Sequence, residues 1–274
     1  MGLPNHRASY SDQSQKSVLR VWRDPSAAGG LNMAADEALA RRSEETNSVL
    51  MRLYGWQPHT VSLGCFQKID DFSRASFLAH WPVVRRPSGG GAIIHGTDVT
   101  YGLAVPSSHN WSKRTEDLYS AVHGALVQEL NDRDLKARMV EVVRREQEQN
   151  FYCFNRRAFG DLVVEHPIAS SDCGNCKILG SAQRRLSGVV LQHGTLLLHR
   201  NPQMQGEGSH PGLGDFLQSK AGSVSDVIEG WLQRLADQLG SQLIQEQGFS
   251  YTKDNEGIMR RTNRYETAAW LNRR

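Results

Sequence analysis

The chain reads as an α+β protein built on mixed, largely antiparallel β-sheets flanked by helices. Three observations predict this class. Apolar residues alternate in short runs through the middle of the chain, as at residues 99–105. Turn residues such as Gly55-Trp56-Gln57-Pro58 join many of these runs, where a doubly wound parallel sheet would need helical crossovers. Helical periodicity is confined to a few segments, chiefly residues 31–42, 115–130 and 224–244. No Pro/Gly/Ser-rich linker divides the chain, so residues 17–274 are expected to form one domain. Residues 1–16 are rich in Ser, Gln, Asn and His, which predicts a disordered leader.

The elements follow in order. Residues 18–22 alternate as a first strand, and Gly29-Gly30 opens a helix over 31–42, rich in alanine. Residues 49–54 and 60–66 read as strands paired with each other across the Gly55–Pro58 turn. Residues 70–80 suit a short helix, and Val83-Val84 leads into a glycine loop. After the strand at 99–105, Glu116 and Asp117 mark the start of a helix, where the macrodipole favours acidic residues. Residues 135–143 and 161–165 read as short strands, and 177–183 with 188–198 as a hairpin. The remainder turns helical: a short piece at 214–220, then 224–244 on Val227, Ile228, Trp231, Leu232, Leu235, Leu239 and Leu243. The tail from residue 251 is charged with scattered aromatics.

Composition excludes several classes. With 274 residues and 39% hydrophobic content the chain can bury a full core. A net charge of +3 is too small to argue for nucleic acid, though a modest basic surface suits an acidic protein partner. No apolar run approaches the length of a membrane span. Four cysteines do not make a disulfide framework, and the polar first residues lack a signal-peptide core, so a cytoplasmic location is expected.

The most informative stretch is Arg85-Arg86-Pro87-Ser88-Gly89-Gly90-Gly91-Ala92-Ile93-Ile94-His95-Gly96. Consecutive glycines let the backbone approach a ligand, and their N–H groups can form a nest for an anion. Arg85 and Arg86 add forked donors suited to carboxylate or phosphate. The residues alone fit either a loop gripping the acidic or carbonyl end of a small molecule, or a tight turn with two solvated arginines.

Further motifs follow the same order as those of one family. They are Asn32-Met33-Ala34-Ala35-Asp36-Glu37, Leu53-Tyr54-Gly55-Trp56-Gln57-Pro58, and Val61-Ser62-Leu63-Gly64-Cys65-Phe66-Gln67, then the arginine–glycine loop with His95. Lys177-Ile178-Leu179-Gly180-Ser181-Ala182-Gln183, Leu191-Gln192-His193-Gly194-Thr195 and the terminal segment with Trp270 complete them. From about residue 18 onward the chain resembles the biotin/lipoate protein ligase catalytic-domain family, most of all octanoyltransferases of the LipM type and lipoate-protein ligase A.

The resemblance implies a mixed α/β fold with a tunnel for a medium-chain acyl group. It also implies transfer of octanoyl or lipoyl groups to a lysine of a lipoyl domain, such as that of the glycine cleavage H protein. Three chemistries are open. A transferase takes octanoyl from acyl carrier protein through a cysteine thioester and needs no cofactor. A ligase activates the free acid with ATP and Mg²⁺. An amidotransferase moves the group between lipoyl domains. Cys153, in Phe151-Tyr152-Cys153-Phe154, resembles the transferase nucleophile, and a thiolate is a good acyl acceptor. A nearby cation would raise its thiolate fraction, and Lys177 is the candidate. Lys177 is expected to stabilise an oxyanion, or to take a proton from the incoming amine if burial lowers its pKa. The substrate-binding residues implied are Arg85, Ser88, Gly89, Gly90, Gly91, His95, Gly180, Ser181, Gln183, His193 and Gly194. Many relatives have His-Asp where this chain has His95-Gly96, with Asp98 following. The intact Ser88-Gly89-Gly90-Gly91 favours a ligase and Cys153 a transferase; the cysteine weighs more. A module that binds lipoyl domains without acylating them is the non-enzymatic alternative. Cys173 and Cys176 read as free thiols in an inserted turn, and no metal site is expected.

Overall fold

The computed structural model describes residues 18–70, 80–141, 151–165, 175–204, 209–217, 221–248 and 255–273. The leader expected at 1–16, and all but the ends of the helix expected at 70–80, lie outside them. Strands β1 (Val18–Arg23), β2 (Leu50–Tyr54), β6 (Asp98–Pro106), β7 (Ala137–Met139), β8 (Leu162–Glu165), β9 (Asn175–Arg185), β10 (Val189–Leu197) and β11 (Gln242–Gln247) form one sheet. It is eight-stranded, in the order β11-β1-β2-β6-β10-β9-β8-β7. β11, β1 and β2 run parallel, and every later neighbour is antiparallel. A second sheet of three strands holds β3 (Thr60–Leu63) between β4 (Val83–Arg85) and β5 (Ile93–His95). The expected mixed, largely antiparallel class is the one observed.

Helices cover both faces of the large sheet. α1 (Gly29–Thr46) and α4 (Asn255–Tyr265) pack on one face, α2 (Thr115–Asn131) and α3 (Val224–Gln238) on the other. Strand alternation sorts β2 between them. Leu50 and Tyr54 join Met33, Leu39 and Tyr265, whereas Met51 and Leu53 join Val122, Trp231 and Leu235. A sheet covered on both faces explains why β2 and β10 are buried at every position. α5 (Ala268–Leu271) lies against β4 and brings the end of the chain to the small sheet.

Three expectations are corrected. β3 does not pair with β2, because both edges of β2 are taken by β1 and β6; β3 joins the small sheet instead. The helix expected over 224–244 stops at Gln238. Gly240 adopts φ 60°, its N–H donates to Asp237 O, and the Ser241 N–H donates to Ala236 O. That is a Schellman end, which turns the following residues into β11 alongside β1. Cys176 is also corrected: it is a buried strand residue of β9 opposite Val164, not part of a turn, while Cys173 lies outside the described residues.

Candidate active site

Cys153 begins a short 3₁₀ turn, Cys153–Asn155, just after the chain crosses the end of the glycine loop. The crossing is a β-bridge. Ala92 N–H donates to Phe151 O at 3.0 Å and Cys153 N–H donates to Ala92 O at 2.8 Å. A Cβ on Gly91 would lie 2.9 Å from Cys153 N and 3.0 Å from Phe151 O, so only glycine lets these chains meet.

Lys177 approaches from β9. A register irregularity between Leu162 and Val163 lies opposite it, the kind of defect that re-aims a side chain. Its stem crosses Gly180, where an added Cβ would sit 2.6 Å from Lys177 Cε. The Nζ lies 2.8 Å from Asp161 Oδ2, 3.0 Å from Cys153 O and 3.5 Å from Cys153 Sγ. Both Lys177 and Asp161 are 3% exposed. Burial pulls the Lys177 pKa down, but Cys153 and Asp161 outweigh it and hold the ammonium above the ordinary lysine value. The site therefore keeps Lys177 charged, and the expectation that burial frees it to act as a base is corrected.

The arginines do different work from that expected. Arg85 is 1% exposed and donates to Leu271 O, Gly64 O and Gln67 O at 2.7, 2.8 and 2.7 Å. It fastens the chain end to the Gly64 loop and is absent from the cleft wall. Arg86 lines the cleft, but its Nη atoms donate to Ser62 O, Gly89 O and Gly91 O at 2.6–3.0 Å. Both guanidinium groups thus shape the loop from within, and their forks are occupied by backbone carbonyls.

Cys153 shares a cleft with Gly89, Gly90 and Ala182, and Met33 and Trp56 also line it. His95 lines it, buried and stacked on Trp56 at 3.9 Å. Its Nδ1 lies 2.8 Å from Asp98 Oδ2, and its Nε2 lies 2.7 Å from Ser62 Oγ. Asp98 therefore supplies the carboxylate that the His95-Gly96 pair seemed to lack. Burial keeps the His95 pKa below the ordinary value although Asp98 pulls upward. His193 also lines the cleft, with Nδ1 3.2 Å from Ser88 Oγ. Its Nε2 is 2.9 Å from Asp36 Oδ2. Burial would raise Asp36, but His193, Arg52 and Tyr54 together hold it below the usual carboxylate value. Gly180 and Ser181 are in the wall; Gly194, opposite Ser181, leaves room for Tyr101 and Ser181, 2.0 and 2.4 Å from where its Cβ would be. Ser88 and Gln183 stand behind the wall: Gln183 donates to Gln192 Oε1 at 2.8 Å and Thr115 O at 3.0 Å.

Residues 29–221 match the family model described as the lipoyl protein ligase A/B catalytic domain. The chain belongs to this family. A chain named octanoyltransferase LipM from Anoxybacillus flavithermus is 31% identical over 201 residues, 69% of each chain. One of the same name from Bacillus subtilis is 32% identical over 195 residues, 67% of this chain and 66% of that relative. Among solved structures, a lipoate-protein ligase A bound with ATP superposes with a TM-score of 0.67 at 19% identity, covering 93% of this chain and 98% of that one. A bipartite lipoate protein ligase from Thermoplasma acidophilum, studied with its E2 lipoyl domain, gives 0.64 at 18% identity over 93% and 95% of the two chains. At those identities the likeness is one of fold.

Within this lipoyl ligase-type domain the sequence missed two functional neighbours. Asp161 reads as the first residue of a strand, yet it anchors Lys177. His123, on the apolar side of α2, accepts at Nε2 from Ser181 Oγ at 2.6 Å and donates from Nδ1 to Gly160 O at 2.5 Å. Burial lowers its pKa to about 4, against a weaker upward pull from Gly160, so the ring is neutral. The signal available for His123 was its place beside Val122 and Leu126 on the helical stripe. A histidine there must be neutral and partnered.

Proposed function

We propose that the chain is an octanoyltransferase of protein lipoylation, moving octanoyl from a thioester donor through Cys153 to a lysine of a lipoyl-domain protein. The observation that carries the reading is the Lys177 ammonium, 3.5 Å from the Cys153 sulfur and fixed by buried Asp161. The kinship with chains named octanoyltransferase LipM supports it. In the first step the Cys153 thiolate attacks the donor carbonyl. A carbon–sulfur bond forms to Cys153, the donor's carbon–sulfur bond breaks, and the proton that left Cys153 ends on the donor thiol. In the second, the neutral acceptor amine attacks the Cys153 thioester, an amide forms, and the amine's surplus proton goes to the departing sulfur. Lys177 stabilises the thiolate and the developing oxyanion, a role worth about 10²–10³ in rate at comparable sites. Gly89, Gly90, His95 and His193 line the cleft that Cys153 shares, and in this reading they face the acyl group.

Octanoyl–acyl carrier protein is the donor in this reading, and a lipoyl domain such as that of glycine cleavage H protein the acceptor. No cofactor is required, and the location is cytoplasmic; no helix among the described residues is long and apolar enough to cross a membrane. The intact Gly91 earlier favoured an ATP-dependent ligase. The contact of its backbone with Cys153 gives it a reason without an adenylate. The test is the intact mass of the protein after incubation with octanoyl–acyl carrier protein and no ATP. A hydroxylamine-labile octanoyl adduct mapping to Cys153 is expected. No adduct, together with acylation of a lipoyl domain by octanoate and ATP, would establish the ligase instead.

A further inference from the structure

A second cavity backs onto the first. Its walls include Ala92, Ile94, Tyr152, Phe154 and Leu197, with Asn201 among its polar groups. The partition between the two is a single layer of chain. Alternation along residues 92–95 sends Ile93 and His95 to the cleft, and Ala92 and Ile94 to the second cavity. Across the bridge, Cys153 faces the cleft while Tyr152 and Phe154 face the second cavity.

Two observations mark this cavity as a binding site. Asn201 is 8% exposed, and its Nδ2 is buried with no acceptor among the described residues, while its Oδ1 accepts the Gln203 N–H at 3.0 Å. A buried amide donor without an acceptor is costly unless a ligand supplies one. The cavity also abuts the reactive pair: the Phe154 ring centre lies 5.4 Å from Lys177 Nζ, which lies 3.5 Å from Cys153 Sγ.

We infer that this cavity takes the thiol-side arm of the acyl donor, an extended, weakly polar chain bearing amide carbonyls, of the pantetheine type. The inference rests on the acyl-transfer reading. A thioester carries a substituent on each side of its carbonyl–sulfur bond. With the acyl chain in the cleft that Cys153, Met33 and Trp56 line, the leaving sulfur needs a separate path, and the second cavity begins one side chain away. Asn201 Nδ2 meets the amide carbonyl farther from the sulfur, the one that an N-acetylcysteamine donor lacks. Among the described residues none that lines it is Lys, Arg, Asp or Glu, so a polyphosphate would find no permanent cation among them.

The experiment compares two donors, octanoyl-pantetheine and the truncated octanoyl-N-acetylcysteamine, by the rate of octanoyl loading on Cys153. Asn201→Leu is expected to lower kcat/KM for the pantetheine donor about tenfold, the effect of one hydrogen bond, and to leave the truncated donor unchanged. Ile94→Phe, which narrows the cavity without touching the amide, is expected to give the same donor-selective loss. Equal loss with both donors, no loss with either, or ATP binding that depends on Asn201 would overturn the assignment. Absence of loading on the wild-type protein from both donors would remove the acyl-transfer reading itself, whereas loading from both with no Asn201 effect removes only the arm site.

Discussion

The charge on Lys177 rests on Asp161, its neighbour at 2.8 Å. Replacing Asp161 by Asn removes one of the influences that raise the lysine, so Lys177 should lose its proton at lower pH. Octanoyl loading of Asp161→Asn is expected to fall about 10- to 100-fold, with the alkaline limb of its pH–rate profile moved to lower pH. Mass-spectrometric loading rates across that limb check both. Gly91→Ala places a methyl group 2.9 Å from Cys153 N, so the backbone crossing must shift; about a tenfold loss of loading is expected together with a lowered melting temperature. His123 gives a stability prediction. Its folded pKa of about 4 lies below the ordinary 6.5, so as pH falls between these values only the unfolded chain takes up the proton. Stability is therefore lost on acidification through that window, by on the order of 3 kcal/mol from this residue. Urea denaturation at either end of the window should show a correspondingly smaller loss in His123→Gln. At this scale the sequence made Cys153, Lys177 and His95 legible, because their motifs are local. Asp161, and the inward turn of Arg85 and Arg86, depend on which backbone carbonyls and side chains lie within reach, and no spacing in the chain encodes that.

Two glycines test why elements end where they do. Neither Gly240 nor Gly124 has any atom within 4 Å of an added Cβ, so packing drops out of the comparison. Gly240 sits at φ 60° beyond the end of α3, and Gly240→Ala is expected to cost about 1 kcal/mol. Gly124 lies inside α2, and Gly124→Ala is expected to stabilise by about 0.5–1 kcal/mol. Thermal melts of the two variants should move in opposite directions. The helix expected through residue 244 shows the limit of periodicity as a signal. Leu239 and Leu243 continue the apolar stripe of Val227, Trp231 and Leu235, yet a single left-handed residue between them makes the second leucine part of a strand. The strands at β2, β6, β9 and β10 were readable from alternation. The partner of β3 was not, since pairing depends on which edges other strands have already filled.

Across the whole molecule, the end of the chain completes the site. Arg85 joins Leu271 O to Gly64 O, and a Cβ on Gly64 would lie 2.1 Å from Gly90 O in the cleft wall. Trp270 donates to Arg85 O at 3.0 Å and carries the guanidinium groups of Arg264 and Arg273 over its ring, at 4.7 and 4.0 Å. Trp270→Ala is expected to slow octanoyl loading several-fold while leaving the core strands protected from hydrogen exchange, since only the small sheet loses its tie. The sheet order carries the same dependence further. β1 lies between β2 and β11, so the first of the described strands waits for the last of them before both its edges are covered. At about 5–20 residues per second that wait is on the order of 10 s or more. A ribosome stalled within α3 would hold a chain whose β1 edge is open, and whose Cys153 pocket lacks the brace that α5 and Arg85 provide. Thioester chemistry would then wait until α5 has been made and has docked on β4.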